Sequence, residues 1–215
     1  MSPVRLNGST SGYTEIDAPA VAGSNTLTLP TGNGTSGQVL STDGSGALSW
    51  SSAGKILQVV STAKTDTFSE TLGANTNSST NCIQVSITPA STSNKVLVMV
   101  TLHGSSTYWG ASSAGAWQGR LVRNGTDIIK GDAAGSRNRV TMVTGDSDSS
   151  NIPEPLVFTY LDSPSSTSAL TYGVRLDNTD NGSQTVYLNR SPTDTDSNVT
   201  FVRAASTITV MEVAG

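Results

Sequence analysis

The chain has 215 residues, of which only 13% are charged, and a formal net charge of −4. No cluster of Lys and Arg marks a surface for a phosphate backbone, so nucleic acid is excluded as a partner. The longest apolar runs, such as 96–100, span five or six residues, far short of the roughly 20 that cross a bilayer, so no membrane insertion is expected.

The opening stretch, "MSPVRL", has no apolar core and is not expected to be a signal peptide. One cysteine, Cys82, and one histidine, His103, exclude an intrachain disulfide and a structural zinc site. The chain is therefore expected to fold in a reducing cytoplasm, held by burial and association and without a cofactor.

From the N-terminus, short alternating runs at 13–16, 25–29, 38–40 and 47–50 are separated by Gly, Asn and Ser. Large apolar side chains are too sparse in these first fifty residues to offset an ordering entropy of about 1–2 kcal/mol per residue. Either the arm is disordered, or it orders by burying the same side chains against its own copies or another protein. The regular placement of β-branched and aromatic residues favours association. A boundary falls in "SSAG", giving an arm over 1–53 and a larger domain over 54–215.

Beyond it, period-two alternation predicts strands at 55–61, 83–88, 95–102, 117–123, 139–144, 156–161, 169–176, 185–189 and 206–213. Turn signals at Asn124-Gly125, Gly135-Ser136, Ser163-Pro164, Asn181-Gly182 and Ser191-Pro192 separate them. Helical periodicity is nearly absent. The pattern predicts an all-β sandwich or jelly roll, with Leu57, Val59, Val96, Val98, Val100, Leu121, Phe158, Tyr160, Val174, Ile208 and Val210 in its core.

His103 follows a strand run, and no G-x-S-x-G elbow surrounds any serine; no catalytic residue and no enzyme activity are expected. Oxygen-rich loops at 145–151, 177–182 and 194–198 place Asp146 with Asp148, Asp177 with Asp180, and Asp194 with Asp196. Calcium favours such clusters. The competing reading is that Asp, Asn and Ser simply make good turns, and no metal site is assigned. In 107–117, Tyr108 and Trp109 stand among small residues that cannot cover them. Exposed loop aromatics stack on sugar faces or anchor protein interfaces; folding back over a core edge is the alternative.

The segment "APAVAGSNTLTLPTGNGTSGQVLSTDGSGALSW" (18–50) resembles a module of tail-fibre and other virion-surface proteins of tailed bacteriophages, especially marine ones. The pieces "KILQVVSTAKTDTFS", "VSITPASTSNKVLVMV", "RLVRNGT", "IIKGDAAGSR", "FTYLDSPSSTSALTYGVRL", "YLNRSPTDTD" and "AASTITVMEV" resemble the C-terminal head that often follows it. The resemblance implies a trimeric jelly-roll head, similar to the tumour-necrosis-factor and complement globular heads, on a β-rich stem. It implies a non-enzymatic structural or adhesive role at the virion surface, in a protein made in the host bacterial cytoplasm. The stem module starts almost at Met1, which points to a short fibre or a capsid decoration protein over a long fibre. The expected partners are two further copies, another virion protein gripped by Met1, Ser2, Pro3, Val4, Arg5 and Leu6, and a host-surface glycan. Tyr108, Trp109, Asp146, Asp148, Asp194 and Asp196 are the candidate receptor contacts, and 206–213 is expected near the threefold axis. A polysaccharide-degrading spike is the third reading, for which the chain lacks the length of a β-helix with a carboxylate pair.

Overall fold

The computed structural model describes residues 4–21, 23–52, 54–107, 117–144, 152–178, 181–196, 199 and 201–215. Among them all regular structure is β, in two compact units, Met1–Lys55 and Ile56–Gly215.

The first unit holds two antiparallel ribbons. Strands β1 (Val4–Asn7) and β2 (Tyr13–Ile16) pair so that Val4, Leu6 and Ile16 share one face. On the other face Arg5 meets Glu15 at 2.7 Å and lies 3.9 Å over the Tyr13 ring. Strands β3 (Gln38–Thr42) and β4 (Leu48–Ser52) form the second ribbon, with Leu40 opposite Trp50. Its turn is set locally: the Asp43 carboxylate accepts from the Ser45 amide and hydroxyl, and Gly44 and Gly46 take positive φ. A Cβ on Gly46 would sit 2.1 Å from the Thr26 carbonyl oxygen, so only glycine fits there. The run expected as a strand at 25–29 contributes a single bridge, Thr28 to Ala47, because Gly46 and Leu48 take up both backbone groups of Thr28.

The second unit is a sandwich of β5 (Ile56–Lys64), β6 (Phe68–Leu72), β7 (Ile83–Ile87), β8 (Lys95–Ser106), β9 (Gln118–Arg123), β10 (Thr126–Ile129), β11 (Met142–Val143), β12 (Glu154–Asp162), β13 (Leu170–Asp177), β14 (Gln184–Leu188) and β15 (Ser206–Val213). In one sheet β8 pairs with β12 along one side and with β15 then β14 along the other, and β5 and β6 run outside those two. In the opposing sheet β13 lies between β7 and β9, and β10 and β11 share the far side of β9. Treating β5/β6, β10/β11 and β14/β15 as interrupted single strands gives the two interlocked four-stranded sheets of a jelly roll. Alternation builds the core: Val96, Val98, Val100 and Leu102 of β8 face Ile83, Val85, Tyr172 and Val174 of the other sheet. Burying such a side chain contributes about 1.5–3 kcal/mol.

Seven of the expected core residues are buried, and Phe158 and Tyr160 pack against the cluster half-buried. Leu57 and Val59 are corrections: both are exposed. Val59 pairs with Met211 on the outer side of the sheet, and Leu57 falls at the bulge where the β5–β15 register shifts. The face is decided by cross-strand parity, which the apolar run "ILQVV" does not reveal. The same parity explains the irregular end of β15. Met211 points out, and Glu212 points in, 2% exposed, accepting from the Ala90 amide and the Asn94 side chain at 2.6 Å each.

One polar clamp crosses the core. Asp162 of β12 accepts from the Tyr172 hydroxyl of β13 at 2.7 Å and from the Arg123 guanidinium of β9. Burial, and then this bond to a carboxylate, raises the Tyr172 phenol above its ordinary range. Burial also pushes the Cys82 thiol up to about 12. Both groups hold their protons more tightly when folded; the thiol's contribution is complete below its ordinary 9.0 and is lost as pH rises through about 12, while the phenol's begins to decline only above its ordinary 10.0. The urea midpoint is therefore expected to fall steadily above pH 9.0, less steeply in Cys82→Ala than in the parent. Equal slopes would show that the thiol does not contribute.

Candidate functional site

The registers define two ends of the sandwich. The chain comes in at Ile56 and β15 finishes at Val213, which are paired with each other, and Val213 lies beside Lys95. At the opposite end β8 finishes at Ser106, β9 begins at Gln118, β11 finishes at Val143 and β12 begins at Glu154. Segments 107–117 and 144–153 therefore both spring from the end away from Ile56. Their anchors are tied together: the Trp117 amide donates to Thr144 Oγ1 and the Thr144 amide to the Trp117 carbonyl, each at 3.1 Å. Trp117 itself is core, 1% exposed, over Gly104, where a Cβ would meet its ring at 2.9 Å. Tyr108, Trp109, Asp146 and Asp148 lie outside the described residues, as do Met1, Ser2 and Pro3. Val4, Arg5 and Leu6 form the exposed strand β1.

Asp194 and Asp196 are placed differently. They belong to the excursion 189–205, which leaves the strand line between β14 and β15, beside Gly104 and short of the end of β8. Asn189 fixes its root. In a left-handed conformation (φ 63°), it donates its side-chain amide to the Lys64 and Asp66 carbonyls at 2.8 and 2.9 Å, and its oxygen accepts from Ser206 at 2.6 Å. The excursion closes on itself through Asp194, whose two oxygens take Arg203, with Arg190 at 3.5 Å and stacked over Tyr187. Ser105 donates to the Arg190 carbonyl at 2.8 Å, and His103 Nδ1 lies 3.0 Å from the Ala205 carbonyl. Asp196 is exposed. Of the oxygen-rich loops, 177–182 has lost its first ligand: Asp177 is buried against Arg120. Among the described residues no three His, Cys, Asp or Glu side chains converge as a metal site.

Among the described residues, the outer face of the β5–β15–β8–β12 sheet presents three successive rows without a charged side chain. Register sets Val59, Met211, Leu97 and Leu161 in one row. The next row is Ser61, Thr209, Met99 and Thr159, and the next Ala63, Thr207, Thr101 and Val157. None of these carries a charge. Val157 is 69% exposed, Val59 56%, Leu161 45% and Met99 42%. Ser61 and Thr209 satisfy each other at 2.8 Å, which lowers the polarity of the middle row. Single exposed apolar residues are ordinary on a monomer. Exposed apolar residues that recur on adjacent strands of a charge-free sheet face are the setting in which interfaces form. This face is not legible in the sequence alone, where Val59 reads as core and the other residues of the three rows carry no assignment. Period-two parity from a fixed inward strand such as β8 would have found it.

Comparison with protein-family models and with curated proteins finds no match to this chain.

Proposed function

We propose that this chain is a non-enzymatic structural protein of a bacteriophage virion, a homotrimeric short fibre or spike that serves host attachment from the particle surface. The observation that carries this reading is the uncharged outer face across β5, β15, β8 and β12, with exposed Val59, Met99, Val157 and Leu161 among serines and threonines, which suits a chain that buries it against copies of itself. A ring of three repeats one heterologous contact, so each chain uses two patches. The resemblance of 18–50 and of the second unit to phage surface proteins supplies the setting. The polarity of the sandwich supports attachment: the segments bearing Tyr108, Trp109, Asp146 and Asp148 leave from the end away from Ile56. Mass photometry is expected to give three times the 22.1 kDa chain mass, and a monomer in dilute buffer overturns the reading.

A second reading, capsid decoration, draws on the β1–β2 ribbon, whose bare Val4, Leu6 and Ile16 form a grip for a shell protein. Gold-labelled antibody on intact particles decides between them, at the tail for a fibre and over the shell for decoration. For attachment, Trp109→Ala is expected to weaken adsorption to host cells by about tenfold, the loss of one aromatic anchor, without moving the melting temperature of the assembly. A variant that fails to assemble makes Trp109 a packing residue instead.

A further inference from the structure

The first unit raises a separate question of what keeps it ordered. Among the described residues every buried hydrophobic side chain lies in Ile56–Gly215. In the β3–β4 ribbon, Leu40 and Trp50 stay 44% and 39% exposed, although the Trp50 ring already rests on Gly34 and its Nε1 donates to the Gly32 carbonyl at 2.8 Å. Beside the ribbon, Leu27 and Leu29 flank the Thr28 bridge at 67% and 70% exposed. A lone two-stranded ribbon with nothing against its apolar face is marginal in water.

We infer that the β3–β4 ribbon is completed by the same ribbon from other copies of this chain, and that association of the sandwiches is what brings the ribbons together. The inference rests on the trimer reading above. Two features favour copies as the occupant. From residue 18 to residue 54 the only charged side chain is Asp43, on the outer turn, so copies meet without repulsion and a charged partner finds nothing to pair with. Only Ala53, Gly54 and Lys55 separate β4 from β5. Because β5 itself carries Val59 on the bare sheet face, chains that meet on that face gather their Ile56 ends. The tethered ribbons then face one another at an effective concentration of about millimolar, a gain of about 100-fold or more over free ribbons. The ribbon orders last and only in the assembly.

Hydrogen exchange read by mass spectrometry on the full chain tests this, on the parent and on Met99→Glu, with Leu161→Glu as the second variant should the β8 and β13 amides show that the first has unfolded. The parent is expected to be oligomeric with 38–42 and 48–52 protected. In the monomeric variant the sandwich amides stay protected, while the ribbon amides exchange about 100-fold faster. Protection of the ribbon in a monomeric, folded variant overturns the inference, because the ribbon is then self-sufficient. An unprotected ribbon in an oligomeric parent overturns it too, because copies then do not complete it. A monomeric parent instead overturns the trimer reading, and this inference with it.

Discussion

Asp177→Ala is expected to destabilise the sandwich by about 3–5 kcal/mol, the loss that follows when one member of a buried ion pair is removed. The Asp177 side chain is wholly buried, and its carboxylate takes Arg120 through both oxygens, with Nη2 at 2.9 Å from Oδ1. Oδ1 also accepts the Ser78 amide at 3.0 Å, and Arg120 Nη2 returns a bond to the Ser78 carbonyl at 2.8 Å. The pair lies on the outer face of the β7–β13–β9 sheet, where Arg120 stands opposite Arg175. Residues 73–82 seal it: Ser78 reaches Glu70 at 2.6 Å, and Asn81 covers Gly173, where a Cβ would sit 2.5 Å from its amide nitrogen. Alanine at 177 removes the buried two-oxygen partner of a guanidinium already withdrawn from water, leaves it only the half-buried Asp127 as counter-ion, and frees the segment above it. In the intact chain the hydrogen bonds that Arg120 donates to Asp177, opposed by burial, raise its pKa; without Asp177 an arginine still keeps its proton, so it cannot escape by deprotonating.

The neighbouring acid separates pairing from burial. Asp127 meets Arg120 at 2.7 Å and Lys130 at 3.0 Å but keeps some contact with solvent, so Asp127→Ala is expected to cost no more than about 1 kcal/mol. Burial acts to raise the Asp127 carboxyl, but the bond from Lys130 and the charge of Arg120 outweigh it and hold the group below its ordinary 3.8. Its contribution is therefore in place above that value and is lost as pH falls through the lower folded value. Urea midpoints at neutral pH rank the two variants. The double change Arg120→Met with Asp177→Leu is expected to recover most of the loss, since an apolar pair leaves no stranded charge. Similar midpoints for Asp177→Ala and Asp127→Ala would show that the buried pair is not a keystone.

How far the sequence could be read follows from what each residue touches. In β7 and β8, each strand carries its own alternation, and Ile83, Val85, Ile87, Val96, Val98 and Val100 are inward as their spacing predicts. At β5 the apolar run is continuous, and only pairing with β15 decides that Val59 faces out. Short strands escape the pattern where a polar residue serves a distant partner. Glu70 interrupts β6 because it receives Ser78, and Asp127 and Ile129 of β10 straddle a register shift against β9. Asp177 looked like a loop oxygen ligand, yet its counter-ion Arg120 is far away in sequence and adjacent only across the β9–β13 pairing. Long-range charge pairing leaves no periodic trace, so the sequence pattern places the alternating residues and not these. Asp194 is a milder case, a turn-rich acid whose oxygens are taken by Arg203 once the excursion folds.

The sheet face leads to the other large effect: Met99→Glu is expected to convert the proposed trimer to monomers. Met99 sits in the middle row of the face, between Thr209 on one side and Thr159 on the other. It is 42% exposed in the single chain, so a glutamate there can reach water and the sandwich loses little stability. In an assembly that buries the face, the same carboxylate is removed from water with no cation in any of the three rows to meet it. Burying an unpaired charge costs several kcal/mol, and each 1.4 kcal/mol is about tenfold in an association constant. Because a closed ring repeats the contact, the penalty recurs at every interface. The dissociation constant is expected to rise by about 100-fold or more, enough to show the 22.1 kDa chain alone in mass photometry. Ser86→Glu, on the exposed outer face of the opposing sheet, adds the same charge where this reading places no partner. It is expected to leave the assembly intact. If Met99→Glu stays assembled while Ser86→Glu dissociates, the copies meet on the β7–β13–β9 sheet, and the bare face of β8 has another occupant.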